Sequence, residues 1–89
     1  MMNTALARVE DGIVRCEKLK EQFPELPVLG SIANQLLYLK SILVDCEADR
    51  SRLNEIIIGV QTAREIEALD METAEVFYEI SELARGLGR

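Results

Sequence analysis

Apolar residues recur along most of the chain at intervals of three and four, the spacing that gives an α-helix one apolar face. The first stripe comprises Leu6, Val9, Ile13, Cys16 and Leu19. It predicts an amphipathic helix over about residues 4–22, with Asn3 or Thr4 as its N-cap. Gly12 lies inside this stretch and is expected to weaken the helix locally, because glycine loses more conformational freedom than other residues when a helix forms.

The next stretches predict a break and then a second helix. Residues 23–27 contain Pro24 and Pro27, which lack backbone donors and favour extended neighbours. The clearest stripe of the chain follows and predicts a helix over about residues 28–46, through Leu29, Ile32, Leu36, Leu39, Leu43 and Cys46. A polar turn comes next, where Asp49 or Ser51 can accept a hydrogen bond from the free amides of the following helix.

The third segment, about residues 50–69, carries two conflicting patterns. Three consecutive isoleucines at positions 56–58 form a β-branched run that suits a buried strand. Helical spacing links Leu53, Ile56, Val60 and Ala63. The length of the segment and the lack of a hairpin partner favour a helix. Gly59 destabilises that helix by about 0.5–1 kcal/mol relative to alanine, which close approach of another helix would offset.

The last stretch predicts a helix over about residues 71–86. Asp70 is in position to cap its start, and Gly86 or Gly88 to end it. The residues expected to face inward are Val76, Phe77, Ile80, Leu83, Ala84 and Leu87. Four amphipathic segments with short connections pack most simply as an all-α fold, a small antiparallel helical bundle forming one domain over residues 1–89.

The composition removes most of the groups that catalysis uses. The chain has no histidine, which is the commonest general base and metal ligand, so its serines have no such base to activate them. Cys16 and Cys46 form no CxxC pair, and zinc or redox chemistry is therefore not indicated. Both cysteines are expected to be reduced thiols packed in the core. We expect a protein that binds, with no catalytic residues, no metal and no cofactor.

The charge balance indicates what the protein binds. A net charge of −6 and a pI near 4.6 argue against nucleic acids and anionic membranes, and favour a cationic partner. No continuous apolar run reaches the ~18 residues of a membrane span, and the first residues lack the pattern of a signal peptide. We therefore expect a soluble, cytoplasmic protein.

Four glutamates form a row along the last predicted helix, here called the acidic ridge: Glu72, Glu75, Glu79 and Glu82. Residues 65–82 contain seven acids and no base, so ion pairs within the helix do not relieve their repulsion. One interpretation is an ordinary solvated helix face; the other is a surface for an electropositive partner.

The polar turn and its flanks form a second candidate surface. Its residues are of the kinds enriched at interface hot spots or able to make directional polar contacts: Gln35, Tyr38, Asp45, Asp49, Arg50, Ser51 and Arg52. The alternative is a local structural role, in which Asp49 and Ser51 only cap, Tyr38 only covers the core, and Arg50 only pairs with Asp45 or Glu47.

Several of these residues also resemble a known family. The run Gln35-Leu36-Leu37-Tyr38-Leu39-Lys40-Ser41-Ile42-Leu43, then Asp45, Asp49-Arg50-Ser51-x-Leu53, Gly59 and Arg64-Glu65-Ile66-Glu67 is similar to the small helical immunity proteins of type VI secretion systems. The similarity is greatest to those that neutralise NAD(P)-degrading glycohydrolase toxins. It covers about residues 28–70 and fades over the last helix.

The resemblance implies an inhibitor that acts by occlusion. Its partner would be a cognate effector toxin whose active-site cleft is electropositive because it admits NAD. Directional contacts are expected from Asp45, Asp49, Arg50, Arg52 and Glu65, with Gln35 and Tyr38 beside them. The resemblance does not extend to the acidic ridge. From its charge alone, we expect Glu72, Glu75, Glu79 and Glu82 to steer the encounter.

Two other functions fit the same sequence. One is immunity against a different class of toxin, such as a nuclease, whose phosphate-binding groups the acidic ridge would engage. The other is a homo-oligomeric helical adaptor or secretion chaperone that binds an effector without inhibiting it. Whether the free protein self-associates is left open by the sequence.

Overall fold

Helices account for most of the computed structural model, which describes residues 4–45 and 47–87. Within those residues there are four α-helices and no strand: α1 (Thr4–Gln22), α2 (Pro27–Val44), α3 (Ile58–Gln61) and α4 (Met71–Leu87). A 3-10 turn at Leu53–Glu55 precedes α3, and a π-helical turn at Thr62–Ile66 follows it. The expected all-α bundle is confirmed.

The first two helices follow the sequence pattern closely. α1 occupies the predicted residues 4–22, with Thr4 inside the helix; Asn3 lies outside the described residues. The break falls at residues 23–26, and Pro27 begins α2, where its missing backbone donor is not needed. Because only four residues separate two helices that pack along each other, α1 and α2 run antiparallel.

The second helix ends earlier than its apolar stripe suggests. α2 stops at Val44 rather than residue 46, and Asp45 follows in an extended conformation with its N–H donating to the Ser41 carbonyl. Cys46, expected in the core, lies outside the described residues. As a whole, α2 has the length and apolarity of a membrane-crossing helix, with 18 residues and a mean hydropathy of 1.2. Length and apolarity alone are weak evidence for a membrane span, because a core helix of a soluble protein meets the same criterion. α2 buries six of its residues in the bundle.

The prediction of one continuous third helix over residues 50–69 is wrong. Ile56 is extended and interrupts the segment between the 3-10 turn and α3. The cause is local: three β-branched isoleucines followed by Gly59 have low helix propensity. The inward face differs as well, since Ile58, Thr62 and Ile66 are buried, whereas Val60 and Ala63 are exposed.

The last helix begins at a carboxylate cap, as the sequence predicts. Asp70 Oδ1 accepts hydrogen bonds from the backbone N–H groups of Glu72 and Thr73, at 3.1 and 3.3 Å. Its Oδ2 accepts the Thr73 hydroxyl at 2.8 Å. The expected glycine stop differs, because Gly86 lies inside α4 and Gly88 falls outside the described residues.

Three helices meet at Gly12. This residue is buried in α1, and a Cβ built there would overlap Ile80 Cδ1 of α4 and lie 3.5 Å from Leu36 Cδ2 of α2. The glycine therefore lets α1 pack closely against both neighbours, which offsets its low helix propensity. Cys16, one turn further on, is buried as expected, and its thiol donates to the Leu29 carbonyl at 3.4 Å.

Candidate partner-binding surface

The segment formed by Asp45 and residues 47–52, here called the polar loop, is shaped by its two aspartates. Asp45 Oδ1 accepts the Glu47 N–H at 3.0 Å. Asp49 accepts both the N–H and the hydroxyl of Ser51, each at 2.9 Å. The backbone hydrogen bond from Ser51, followed by the hydroxyl bond, lowers the pKa of Asp49, which stays ionised and exposed. The two aspartates therefore present charge while also building the turn.

Tyr38 ties the polar loop to α2. Its hydroxyl donates to the Asp49 carbonyl at 2.8 Å and accepts the Arg52 N–H at 3.2 Å. The Arg52 guanidinium lies over the Tyr38 ring, 5.3 Å from its centre, and approaches Glu55 at 3.8 Å. Arg50 is exposed and makes no ion pair with Asp45, Glu47 or any other described residue. Tyr38 of α2 therefore holds the polar loop in place through hydrogen bonds. The charge of Arg50 is not neutralised by any described residue of the loop.

Gln35 makes contacts within the protein. Its side-chain N–H group donates to Gln61 Oε1 at 2.8 Å and to the carbonyl and hydroxyl oxygens of Ser31, both at 3.2 Å. Its Oε1 accepts the Ile57 N–H at 2.7 Å, and Gln61 also donates to the Ser31 hydroxyl. This network fixes the start of α3 on α2. The side chain of Gln35 therefore stabilises the packing of α3 on α2, and its hydrogen bonds are made within the protein.

The acidic ridge is partly neutralised by α1. Arg8 pairs with Glu79 at 2.9 Å, and Arg15 approaches Glu72 at 3.9 Å. The sequence showed no base within residues 65–82, but these arginines reach the ridge from another helix. Glu75 is exposed and has no ion pair among the described residues. Glu65, on the π-helical turn, is exposed and similarly unpaired in the described part of the chain.

An open groove of about 1180 Å³, here called the α4 groove, lies between the third segment and α4. Arg50 and Ser51 of the polar loop reach it, and so do Glu82 and Arg85 of α4. The full lining is Arg50, Ser51, Leu53, Asn54, Ile56, Ile57, Gly59, Val60, Ala63, Tyr78, Ser81, Glu82, Ala84, Arg85 and Leu87. Ser81 approaches closely at Gly59, where a Cβ would lie 2.7 Å from its hydroxyl oxygen.

The structure groups the candidate residues differently from the sequence. Tyr38, Asp45, Asp49, Arg50 and Arg52 come together at the polar loop. The first three glutamates of the acidic ridge do not line the α4 groove, and Gln35 faces the start of α3. Sequence reasoning missed the apolar part of this surface, because it assigned Val60 to the core stripe. In residues 4–45 and 47–87, no cluster of His, Cys, Asp and Glu side chains is placed to hold a metal ion.

Comparison with known proteins identifies the family. The family model described as Tsi6 matches residues 4–86. The chain belongs to the Tsi6 family. A relative named immune protein Tsi6, from Pseudomonas aeruginosa strain PAO1, is 31% identical over 90 residues, covering 97% of this chain and 88% of the relative. The resemblance to type VI immunity proteins carried by residues 28–70 is thereby confirmed.

Two solved structures of Tsi6 have the same fold. The structure of Tse6 in complex with Tsi6 matches with a TM-score of 0.91 and 24% identity, covering 98% of this chain and 93% of the other. The structure of Tsi6 from Pseudomonas aeruginosa matches with a TM-score of 0.84 and 22% identity, covering 90% and 83%. These matches show that the chain shares its overall fold with the solved Tsi6 structures.

Proposed function

We propose that this chain is an immunity protein that binds a cognate effector toxin and inhibits it by occluding its active site. The observation that carries the proposal is the 31% identity to immune protein Tsi6 across 97% of the chain. A protein of the same fold has been solved in complex with Tse6, which supports a protein as the partner. The proposed place of action is the cytoplasm of the bacterium that makes the toxin.

The proposed target is a toxin that degrades NAD(P)+. Such an enzyme must bind a dinucleotide whose two nucleosides are joined by a negatively charged diphosphate, so its cleft is expected to carry positive groups. The exposed carboxylates of Asp45, Asp49, Glu65 and Glu75 are suited to pair with those groups and exclude the nucleotide. Long-range attraction by a chain of charge −6 would raise the association rate and make it fall with added salt. The chain itself is proposed to have no enzymatic activity.

Preorganisation supports the polar loop as the site of directional contact. Asp45 and Asp49 are held by hydrogen bonds to the loop backbone, and Tyr38 anchors the loop at 2.8 and 3.2 Å. A loop already fixed in its binding shape loses less conformational entropy when the partner docks. Its charges are therefore available to the toxin without a preceding rearrangement.

The test combines binding and inhibition. The candidate effector would be purified from the same bacterium, and its consumption of NAD+ measured with and without this chain. We expect stoichiometric inhibition by the wild-type chain. The Asp45→Lys/Asp49→Lys variant is expected to raise the inhibition constant at least about tenfold, because two attractive contacts become repulsive.

A matched control has the same change in charge at a different place. Glu10 and Glu21 are exposed on α1 and make no ion pair with a described residue, so the Glu10→Lys/Glu21→Lys variant should keep most of the inhibition. Unchanged inhibition by a folded loop variant would remove the polar loop from the interface. Cleavage of nucleic acid by the effector would favour the nuclease class, and binding without inhibition would favour an adaptor.

A further inference from the structure

The α4 groove combines apolar exposure with a concave shape. Ile57 and Val60 lie on one of its walls with 49% and 59% of their surface exposed. Other large exposed apolar side chains, such as Val14, Phe23 and Met71, do not line it. Neighbouring exposed apolar residues in one concavity are typical of an interaction site, whereas single ones are ordinary on protein surfaces.

The charge at the groove is opposite to that of the whole chain. Arg50 and Arg85 line the groove with a single carboxylate, that of Glu82, although the chain carries a net charge of −6. Glu82 pairs with Arg85 at 3.3 Å. Arg50 has no carboxylate partner among residues 4–45 and 47–87. The complementary ligand is therefore apolar and carries a carboxylate that can reach Arg50.

The groove is continuous with the polar loop. Arg50 and Ser51 belong to the loop and also line the groove, and Asp49 immediately precedes them in the chain. A stable interface buries roughly 800 Å² on each partner, about a seventh of the 5699 Å² surface of this protein. The seven described residues of the polar loop are too few to supply that area alone, because an interface of this size uses about 20–30 residues on each side. A partner seated on the loop would reach it by extending over the adjacent groove.

We propose that the α4 groove is a second contact surface for the effector toxin, and that it receives an apolar effector segment bearing an acidic residue. This proposal rests on the proposed function and extends it by adding a second contact. In the active-site contact, carboxylates of this chain meet positive groups of the effector, whereas in the groove Arg50 meets a carboxylate of the effector. Ile57 and Val60 form the apolar wall, and Arg50 binds the carboxylate at the rim. The apolar and cationic contacts slow dissociation, while the acidic surfaces speed association.

The first test compares two exposed valines. Val60→Asp places a charge in the groove, and Val14→Asp makes the same change on α1, where the side chain is 51% exposed. Binding of each variant to the purified effector would be measured by biolayer interferometry, after circular dichroism has shown that both remain helical. We expect the dissociation constant of Val60→Asp to rise at least about tenfold, mainly through faster dissociation. Val14→Asp should stay within about twofold of wild type.

The second test concerns the carboxylate. Arg50→Glu is compared with Arg64→Glu, since Arg64 is also exposed and unpaired among the described residues but does not line the groove. We expect weaker binding only for Arg50→Glu. An acidic effector residue whose reversal to lysine restores binding to Arg50→Glu would identify the matching carboxylate.

Each outcome separates this proposal from the proposed function. If wild type inhibits the effector and Val60→Asp binds equally well, the groove proposal is overturned and the proposed function stands. If wild type neither binds nor inhibits the effector, the proposed function fails. If free wild type is a dimer by light scattering and Val60→Asp is a monomer with unchanged effector binding, the groove binds a second copy and the proposal is overturned.

Discussion

The start of α4 depends on one carboxylate, which makes Asp70→Ala a sharp test of the fold. Asp70 accepts two backbone N–H groups and the hydroxyl of Thr73. Thr73 is only 1% exposed, so its hydroxyl has no ready access to water once this acceptor is removed. The substitution therefore deletes a helix cap and leaves a buried donor without a partner.

The expected loss of stability can be worked from those two effects. Removing an aspartate N-cap costs about 1 kcal/mol, with a range of about 0.5–2. An unsatisfied buried hydroxyl adds about 1–3 kcal/mol. We expect the free energy of unfolding to fall by about 2–4 kcal/mol and the melting temperature by about 10 °C or more. A domain of this size has only about 4–13 kcal/mol in total, so the change is large.

Urea unfolding followed by circular dichroism would measure the change, with Asp70→Ala/Thr73→Val as the matched control. The double variant removes donor and acceptor together, so it should recover about 1 kcal/mol of the loss. A loss below about 0.5 kcal/mol in Asp70→Ala, or no recovery in the double variant, would refute the reasoning.

The same cap predicts the response to acid. The hydrogen bond from the Thr73 hydroxyl, ahead of those from the backbone, lowers the pKa of Asp70 below its ordinary value of 3.8. Because the folded state favours the ionised form, this stabilisation is fully present above about pH 4 and is lost as the pH falls through the folded pKa. The stability difference between wild type and Asp70→Asn should therefore narrow in that window. A constant difference down to about pH 2 would contradict this account.

Three further predictions follow from the packing. Gly12→Val should lower the free energy of unfolding, measured in urea, by about 1–3 kcal/mol, because the new side chain overlaps Ile80 of α4. Gly30→Ala should leave that free energy unchanged or raise it, because a Cβ at Gly30 meets nothing within 4 Å. A double-mutant cycle of Gln35→Ala and Gln61→Ala should give a coupling free energy of about 0.5–1.5 kcal/mol, because the two side chains share a 2.8 Å hydrogen bond. Additive effects of the two substitutions would show that this hydrogen bond does not contribute to stability. Burial raises the pKa of Cys16 to about 11, so mass spectrometry should show slow alkylation of this thiol at pH 8 that accelerates in urea.

The sequence predicts elements whose determinants are local. The stripe of α1, the prolines at the break and the Asp70 cap each act within a few residues, and the structure contains all three. The third segment was mispredicted because Gly59 and the isoleucines at 56–58 oppose the helix that the wider spacing suggested. A periodic stripe gave no indication that Val60 would be exposed.

The candidate surface was predictable to a similar extent. Short-range hydrogen bonds shape the polar loop, and the residue types of Asp45, Asp49 and Ser51 already indicate such turns. The pairing of Arg8 with Glu79 joins residues on different helices, and no periodicity within either helix reveals it. The α4 groove likewise exists only after the third segment has docked on α4, so its lining had no local signal in the sequence.

The interruption of the third segment affects where the folded protein opens locally. α3 has only four residues, too few for cooperative helix formation. The buried hydroxyl of Thr62 in the adjoining π-helical turn has no hydrogen-bond partner among the residues that the structure describes. Amide protons of this segment should therefore exchange with deuterium through local opening, well before those at the centres of α1 and α4. One wall of the α4 groove is therefore expected to exchange early, and a ligand bound in the groove would slow deuterium uptake there.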